Sequence, residues 1–513
     1  MTGVLAETVV LPGALAVVAV DREPVAQNPL LGEPDVDAVA LPTRPGADGV
    51  RPGSGTAELM ARYGIDLAEL AQRLELDGHA GEAHTVQLPR ALGDVHLPWA
   101  GLPSRLVLVG EGTGDPRDLR IAGAAVAGAA SALRRVVTTV GAEAEPEGTQ
   151  ALVEGYLIAA HRPGRDVSAP ALVLIGQHSE TAVERARHFA AATCTVRQLT
   201  ADPASTRTPQ WLAEEAAAAA RAAGLGVEVL ERRELIGRGF SALVAVGAGS
   251  ASEPRLVTLR YEPKGAGKRR RGCHVVIVGK GITFDAAGPA DKRWQSMAAQ
   301  KTDMASAAVA LAVVLGAASA GLPHRVTAVL ALAGSAPGVD SYRPGEVLRS
   351  YGGTTVEVVH ADAEGHLVLA DALSHADADL GPDILVDIAT LTGTAPLGLG
   401  RGRGALFTPD DTLATQLRVA GDASGEPVWR FPLDPDYASA LDSEVADIRH
   451  ADDPDAGAGA ITAALFLQRF VGSRRWAHLD VAGPARAAGA AHGSAPDLAG
   501  FGVRLLLRWL EDL

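Results

Sequence analysis

The stretch HADAEGHLVLAD, His360 to Asp371, sets two carboxylates, Asp362 and Glu364, one residue apart in front of an apolar run that reads as helical. Val356, Val358 and Val359 precede the pair and Leu367, Val368 and Leu369 follow it. Charges that enter such an apolar neighbourhood need a partner. Two other places repeat the pattern. KGITFD, Lys280 to Asp285, comes directly after the strand-like CHVVIVG, and KTDM puts Asp303 at the opening of a second apolar helix. Four carboxylates gathered at one point repel each other unless cations hold them, and hard oxygen donors in that number suit two divalent metal ions. In an extended D-x-E segment both acids point to the same side. Lys280 joins such a site only as the neutral amine, which a nearby dication favours by lowering the lysine pKa. The alternative is that each acid caps a helix or pairs with a neighbouring Lys or Arg, and spacing alone leaves the two readings open.

The elements that must position these residues read as α/β. Apolar strand patterns occur at 255–261, 273–279, 325–333, 384–391 and 476–483, with helices between several of them, and SALVAVG (241–247) also reads as a strand. Loops that leave the carboxyl ends of such strands are where α/β sheets place ligands. Before residue 201, LPSRLVLVGEG (102–112), the helical DLRIAGAAVAGAASALRRV (118–136) and ALVEGYLIAA (151–160) suggest a smaller α/β unit. SETAVERARHFAAATCTVRQL follows ALVLIG (171–176) as a long helix, and TPQWLAEEA predicts another with Thr208 as N-cap and Pro209 at its first position. Residues 28–55 are rich in Pro, Gly and Asp and read as surface loops, although part of 30–45 is compatible with an extended strand. The expected organisation is an N-terminal α/β domain over 1–175, a linking helix over 176–200, and a larger α/β domain over 201–513 with a central mixed sheet flanked by helices.

Bulk properties exclude several function classes. A formal charge of -15 argues against a polyanion as main partner, because counterion release requires a basic surface. KGAGKRRRG (264–272) is one basic run without interleaved aromatics and reads as a solvated loop. Cys194 and Cys273 form neither a CxxC motif nor a disulfide framework, which fits a reducing, cytoplasmic setting. Residues 9–20 lack the basic start of a signal peptide and read as an early core strand. The uncharged run 304–322 is mostly Ala with Gly and Ser and reads as a buried helix, so no membrane is expected. VGEGTGDPRD misses the dinucleotide spacing, GK at 279–280 lacks the first glycine of a phosphate loop, and GSAPG (334–338) puts its serine second, not third as a nucleophile elbow requires.

VGKGITFD, KTDMASAAVAL, SYRPGEVL, VHADAEGHLVLADAL and DIATLTG, in this order, resemble the leucyl aminopeptidase family, the cytosol aminopeptidases of peptidase family M17. PVWRFPL, SEVADIRH, AGAITAALFLQRFV, WAHLDVAG and GFGVRLL continue the likeness, which covers roughly residues 195–513. The resemblance implies an exopeptidase with two divalent metals, Zn²⁺ or Mn²⁺ with Mg²⁺ as a further candidate, and a homohexamer. It assigns Lys280, Asp285, Asp303 and Glu364 to one metal and Asp285, Glu364 and Asp362 to the other. Lys292 matches the lysine that stabilises the tetrahedral oxyanion. Asp303 and a metal would bind the free α-amine of a peptide or aminoacyl amide. The pocket for the first side chain would be lined by Gln300, Thr390, Leu391, Gly393, Ala482 and Ala485.

Several family positions differ. The family motif NTDAEGR reads HADAEGH, so His366 replaces an arginine that holds bicarbonate as general base. Histidine lacks the permanent charge and donor fork of arginine, which argues against bicarbonate here. His366 could instead move the proton itself, its unperturbed pKa of about 6.5 being suited to a base near neutral pH. MKxDMxGAA reads QKTDMASAA, and ENMP reads GSAP. Gln300 and Ala485 replace two methionines of the pocket, so a roomier, more polar pocket that handles leucine poorly is expected. A specialised amide hydrolase of a biosynthetic pathway is the second reading, and a catalytically silent oligomeric homologue the third.

Overall fold

The computed structural model describes residues 15–47, 49–92, 94–97, 99–163, 169–203, 205–263, 272–285, 302–360, 362–451, 457–486 and 500–513. The described residues divide into two compact units, one of residues 15–194 and one of residues 195–486 and 500–513. The N-terminal unit holds a seven-stranded sheet of β1 (Val18–Asp21), β2 (Val36–Gly46), β3 (Gly49–Pro52), β4 (Ala83–Gln87), β5 (Arg105–Gly110), β6 (Arg135–Thr138) and β7 (Ala171–Ile175). The order is β1-β7-β6-β2-β5-β4, parallel from β1 to β5, with β4 antiparallel on β5 and β3 antiparallel on β2. Residues 30–45 therefore contribute the central strand. Ala38, Val39, Ala40 and Leu41 are buried in succession, as expected of a parallel strand covered on both faces. The prolines and aspartates around this core conceal it in the composition.

Helices α1 (Pro116–Ala129) and α2 (Pro146–Ala160) each start on a proline, whose missing N–H costs nothing at that position. They cross backbone to backbone. A Cβ on Gly123 would lie 2.1 Å from the Leu152 carbonyl, and one on Gly155 would lie 2.0 Å from that of Arg120. The long helix α3 (Glu180–Ala201) follows.

In the C-terminal unit, α4 (Pro209–Ala222) begins as the sequence predicts, with Thr208 Oγ1 accepting from Trp211 N at 3.1 Å. An eight-stranded mixed sheet follows: β8 (Gly226–Leu230), β9 (Arg255–Tyr261), β10 (His274–Asp285), β11 (Arg325–Ser335), β12 (Ile384–Ala389), β13 (Gly404–Phe407), β14 (Val428–Arg430) and β15 (Arg475–Asp480). Its order is β8-β9-β11-β10-β12-β15-β13-β14, with a parallel centre of β11, β10, β12 and β15. Val275 to Val278 are all fully buried, so both faces are covered. Helices α5 (Ser241–Gly247), α7 (Glu364–His375) and α9 (Gly459–Gln468) cover one face. The other carries α6 (Ala305–Ser319) and α10 (Val503–Glu511), with Leu507 against Gly316, while α8 (Asp411–Ser424) packs on α10.

The strand expected over 241–247 is the helix α5. Its buried residues are Ala242, Leu243, Val246 and Gly247, a helical period that a short apolar run conceals. The first turn is held from a distance, since Asp371 Oδ2 accepts from Leu243 N at 2.8 Å and its Oδ1 from Tyr351 N at 2.8 Å. The uncharged run around 304–322 forms α6, buried from Ala305 to Ala317. Among the described residues, no helix is long and apolar enough to cross a membrane. Most of the basic run 264–272 lies outside the described residues.

Candidate metal and substrate site

Strand alternation decides where Lys280 points. Val276, Val278 and Ile282 share one face of β10 and pack in the core that includes Leu367 and Val368 of α7. Lys280 lies in the same alternation, at the carboxyl half of the strand, and is buried. Asp303 lies in the turn before α6 and Glu364 opens α7, so the two acids arrive from helices on opposite faces of the sheet. Lys280 Nζ is 2.9 Å from Asp303 Oδ2 and 3.1 Å from Glu364 Oε1, and it donates to the Thr390 carbonyl at 3.1 Å. These contacts use all three donors of the ammonium.

Burial alone would lower the Lys280 pKa, but the Asp303 and Glu364 carboxylates outweigh it and raise the pKa above the ordinary lysine value. All three side chains are almost fully withdrawn from solvent. Removing one member of such a buried group leaves an uncompensated charge and costs about 3–5 kcal/mol. Gly365 makes the approach possible, because a Cβ there would lie 2.7 Å from Lys280 Cε.

The remaining site residues fall in three groups. Asp285 ends β10, its backbone opposite Ser335 of β11, and Asp362 is exposed two residues before α7. Lys292 and Gln300 lie outside the described residues. Among the described residues, no three His, Cys, Asp or Glu side chains converge as a set of metal ligands. The cluster that does converge contains two acids and an amine. Oxygen donors with one convertible nitrogen match the chemistry of a hard dication.

Thr390 is buried and its Oγ1 donates to Asp303 Oδ1 at 2.5 Å, so this residue braces the cluster through both its hydroxyl and its carbonyl. Leu391 is half-buried and Gly393 exposed, while Ala482 and Ala485 are buried. His366 sits on α7 with its ring 5.7 Å from that of Phe466 and 6.3 Å from that of His450. Burial, reinforced by His450 and Lys280, pushes its pKa well below the usual imidazole value, so the ring is neutral near pH 7.

Two supports were not given roles in the sequence reading, although both lie in WAHLDVAG. Asp480 accepts from the Leu391 and Ala482 amides on Oδ1, at 3.3 and 3.0 Å. Its Oδ2 accepts from Thr392 N at 3.1 Å and Thr392 Oγ1 at 2.7 Å. His478 shares the Lys280 face of the sheet, and its Nδ1 lies 2.5 Å from Asp387 Oδ1. Asp387 Oδ2 accepts from Trp476 Nε1 at 2.7 Å. Alternation in β15 puts His478 and Asp480 on one face and is the signal that could have found them.

Residues 194–507 match the model of the cytosol aminopeptidase family, catalytic domain. A probable cytosol aminopeptidase of Chlorobaculum tepidum is 42% identical over 316 residues, 61% of each chain. The fold is similar to that of the bottromycin maturation enzyme BotP in complex with Mn, at a TM-score of 0.79 and 34% identity, covering 93% of this chain and 99% of that one. It is also similar to a mutant of tomato leucine aminopeptidase, at a TM-score of 0.83 and 26% identity, covering 98% and 99%. With more than half of its length matched by that family model, the chain belongs to the cytosol aminopeptidase family of peptide-bond hydrolases.

Proposed function

We propose that this protein is a cytoplasmic, metal-dependent aminopeptidase that removes the first residue from peptides or aminoacyl amides with a free N-terminus, and that it works as a homohexamer. The observation that carries the reading is the buried convergence of Lys280, Asp303 and Glu364 at the carboxyl end of the central strands. Residues 201–513 form the peptidase domain in this reading, joined by 176–200 to an N-terminal domain of 1–175. Two divalent metals, Zn²⁺ or Mn²⁺, would be held by Lys280, Asp285, Asp303, Asp362 and Glu364. When bound, such metals lower the pKa of water and polarise the scissile carbonyl.

The chain supplies the rest. Asp303, braced by Thr390, orients the substrate's α-amine. Lys292 stabilises the oxyanion, and Gln300, Thr390, Leu391, Gly393, Ala482 and Ala485 border the first side chain. In place of a bicarbonate held by arginine, His366 itself moves the proton, in neutral form near pH 7. With Gln300 and Ala485 in place of methionines, N-terminal leucine is a poor substrate. The likeness to a bottromycin maturation enzyme supports a second reading, a specialised amide hydrolase of a biosynthetic pathway.

Hydrolysis of a panel of N-terminally free dipeptides and aminoacyl amides by Mn²⁺- or Zn²⁺-loaded protein tests both. Turnover that vanishes in Glu364→Ala supports the aminopeptidase. Bound metal with silence across the panel favours the specialised substrate, and silence without bound metal favours a non-catalytic homologue.

A further inference from the structure

We infer that Asp480 is a positioning residue that clamps together the two segments bordering the substrate's first side chain, 390–393 and 482–485. The inference rests on the site reading proposed above. The two segments leave the carboxyl ends of adjacent parallel strands, with Ala389 of β12 paired to Asp480 of β15. The backbone ladder continues one bond further, where Val481 N donates to the Ala389 carbonyl at 2.8 Å, and side-chain contacts take over from there. The carboxylate of Asp480 is almost fully buried, and the Leu391, Thr392 and Ala482 amides and the Thr392 hydroxyl all point their hydrogens at it. Four donors around one side chain require an acceptor at every position, which an ionised carboxylate provides and an amide does not.

The clamp reaches the charged cluster through one residue. Thr390, next to the clamped amides, accepts from Lys280 on its carbonyl and donates to Asp303 from its hydroxyl. Thr392 Oγ1 also accepts from Ala395 N at 3.2 Å, which fixes the start of the short helix Ala395–Leu399. A shift of 391–392 therefore moves the pocket wall and the support of Lys280 and Asp303 together.

The test compares Asp480→Asn and the milder Thr392→Val, with Thr392→Ser as the conservative variant, in Mn²⁺-loaded full-length protein. Amide hydrogen exchange is expected to accelerate about tenfold in both 389–394 and 480–486 in Asp480→Asn, and to remain unchanged across α1. On the substrate panel, kcat/KM falls about tenfold with a changed ratio between small and bulky first residues. Thr392→Val gives a smaller change in the same direction, and Thr392→Ser restores the wild-type ratio. Unaltered exchange in either segment overturns the clamp. So does a loss of kcat/KM by one common factor for all substrates that follows the fraction of folded protein. If wild-type protein cleaves nothing on the panel, the aminopeptidase reading fails, and the exchange measurement still decides the clamp by itself.

Discussion

The two units place charged groups at the carboxyl ends of parallel strands and arrive at opposite results. In the N-terminal unit, Glu111 follows β5 and is consumed on both oxygens, by Arg44 Nε at 2.5 Å and Gly141 N at 3.1 Å. Asp115 caps Asp118 N at 2.9 Å, and Asp118 accepts from Thr113 N at 2.8 Å, so the start of α1 is closed by its own acids. In the C-terminal unit, two acids share one lysine, and Asp285 and Asp362 adjoin them in sequence. A strand-end location is thus insufficient for a site. Acids already met by neighbouring donors create no demand for a ligand.

The contrast breaks first, if it is wrong, in activity. Lys280→Met is expected to lower kcat/KM about a thousandfold or more, whereas Glu111→Gln leaves it within about twofold. Comparable losses in steady-state assays would erase the distinction between the units. Next comes Gly365→Ala, whose Cβ collides with the Lys280 side chain. Calorimetric titration is expected to show Mn²⁺ affinity reduced about 10–100-fold. The matching change in the other unit, Gly123→Ala, drives a methyl into the Leu152 carbonyl. It should destabilise by about 1–3 kcal/mol in denaturant unfolding while leaving Mn²⁺ affinity unchanged.

The last contrast concerns pH. Burial lowers the His178 pKa to about 4, so the unfolded chain binds a proton that the folded N-terminal unit refuses. Its contribution is complete above about 6.5 and is lost as pH falls toward about 4. Burial raises the Asp371 pKa in the C-terminal unit to about 7. There the folded state keeps a proton that the unfolded chain releases, so stability falls as pH rises from about 4 to about 7. Thermal unfolding across pH 4–8 should show these opposite slopes, with His178→Phe removing the first and Asp371→Asn the second. Slopes that survive both substitutions would assign the pH dependence to other groups.

The sequence carried most of the C-terminal unit because its strands are long apolar runs with charged residues directly at their ends. CHVVIVG, RVTAVLALA and WAHLDVAG needed no tertiary information to read as strands, and Thr208 with Pro209 marked a helix start that the structure contains. Two elements were misread or left open for opposite reasons. SALVAVG is too short for its period to separate helix from strand, and the contact that favours a helix comes from Asp371, 128 residues away. β2 lies among prolines and aspartates, and its burial on both faces depends on neighbours that are only brought in later in the chain.

Sequence by itself determined which residue types could serve chemistry, since D-x-E, the strand-end lysine and their apolar flanks are local facts. Tertiary structure alone decided the pairing of Lys280 with Asp303 and Glu364, the turning of Thr390 toward both Lys280 and Asp303, and the position of Asp480 beneath the two loops. The physical reason is that each of these contacts joins different strands or helices. Their geometry is set by sheet register and helix packing, which no stretch of sequence contains within itself.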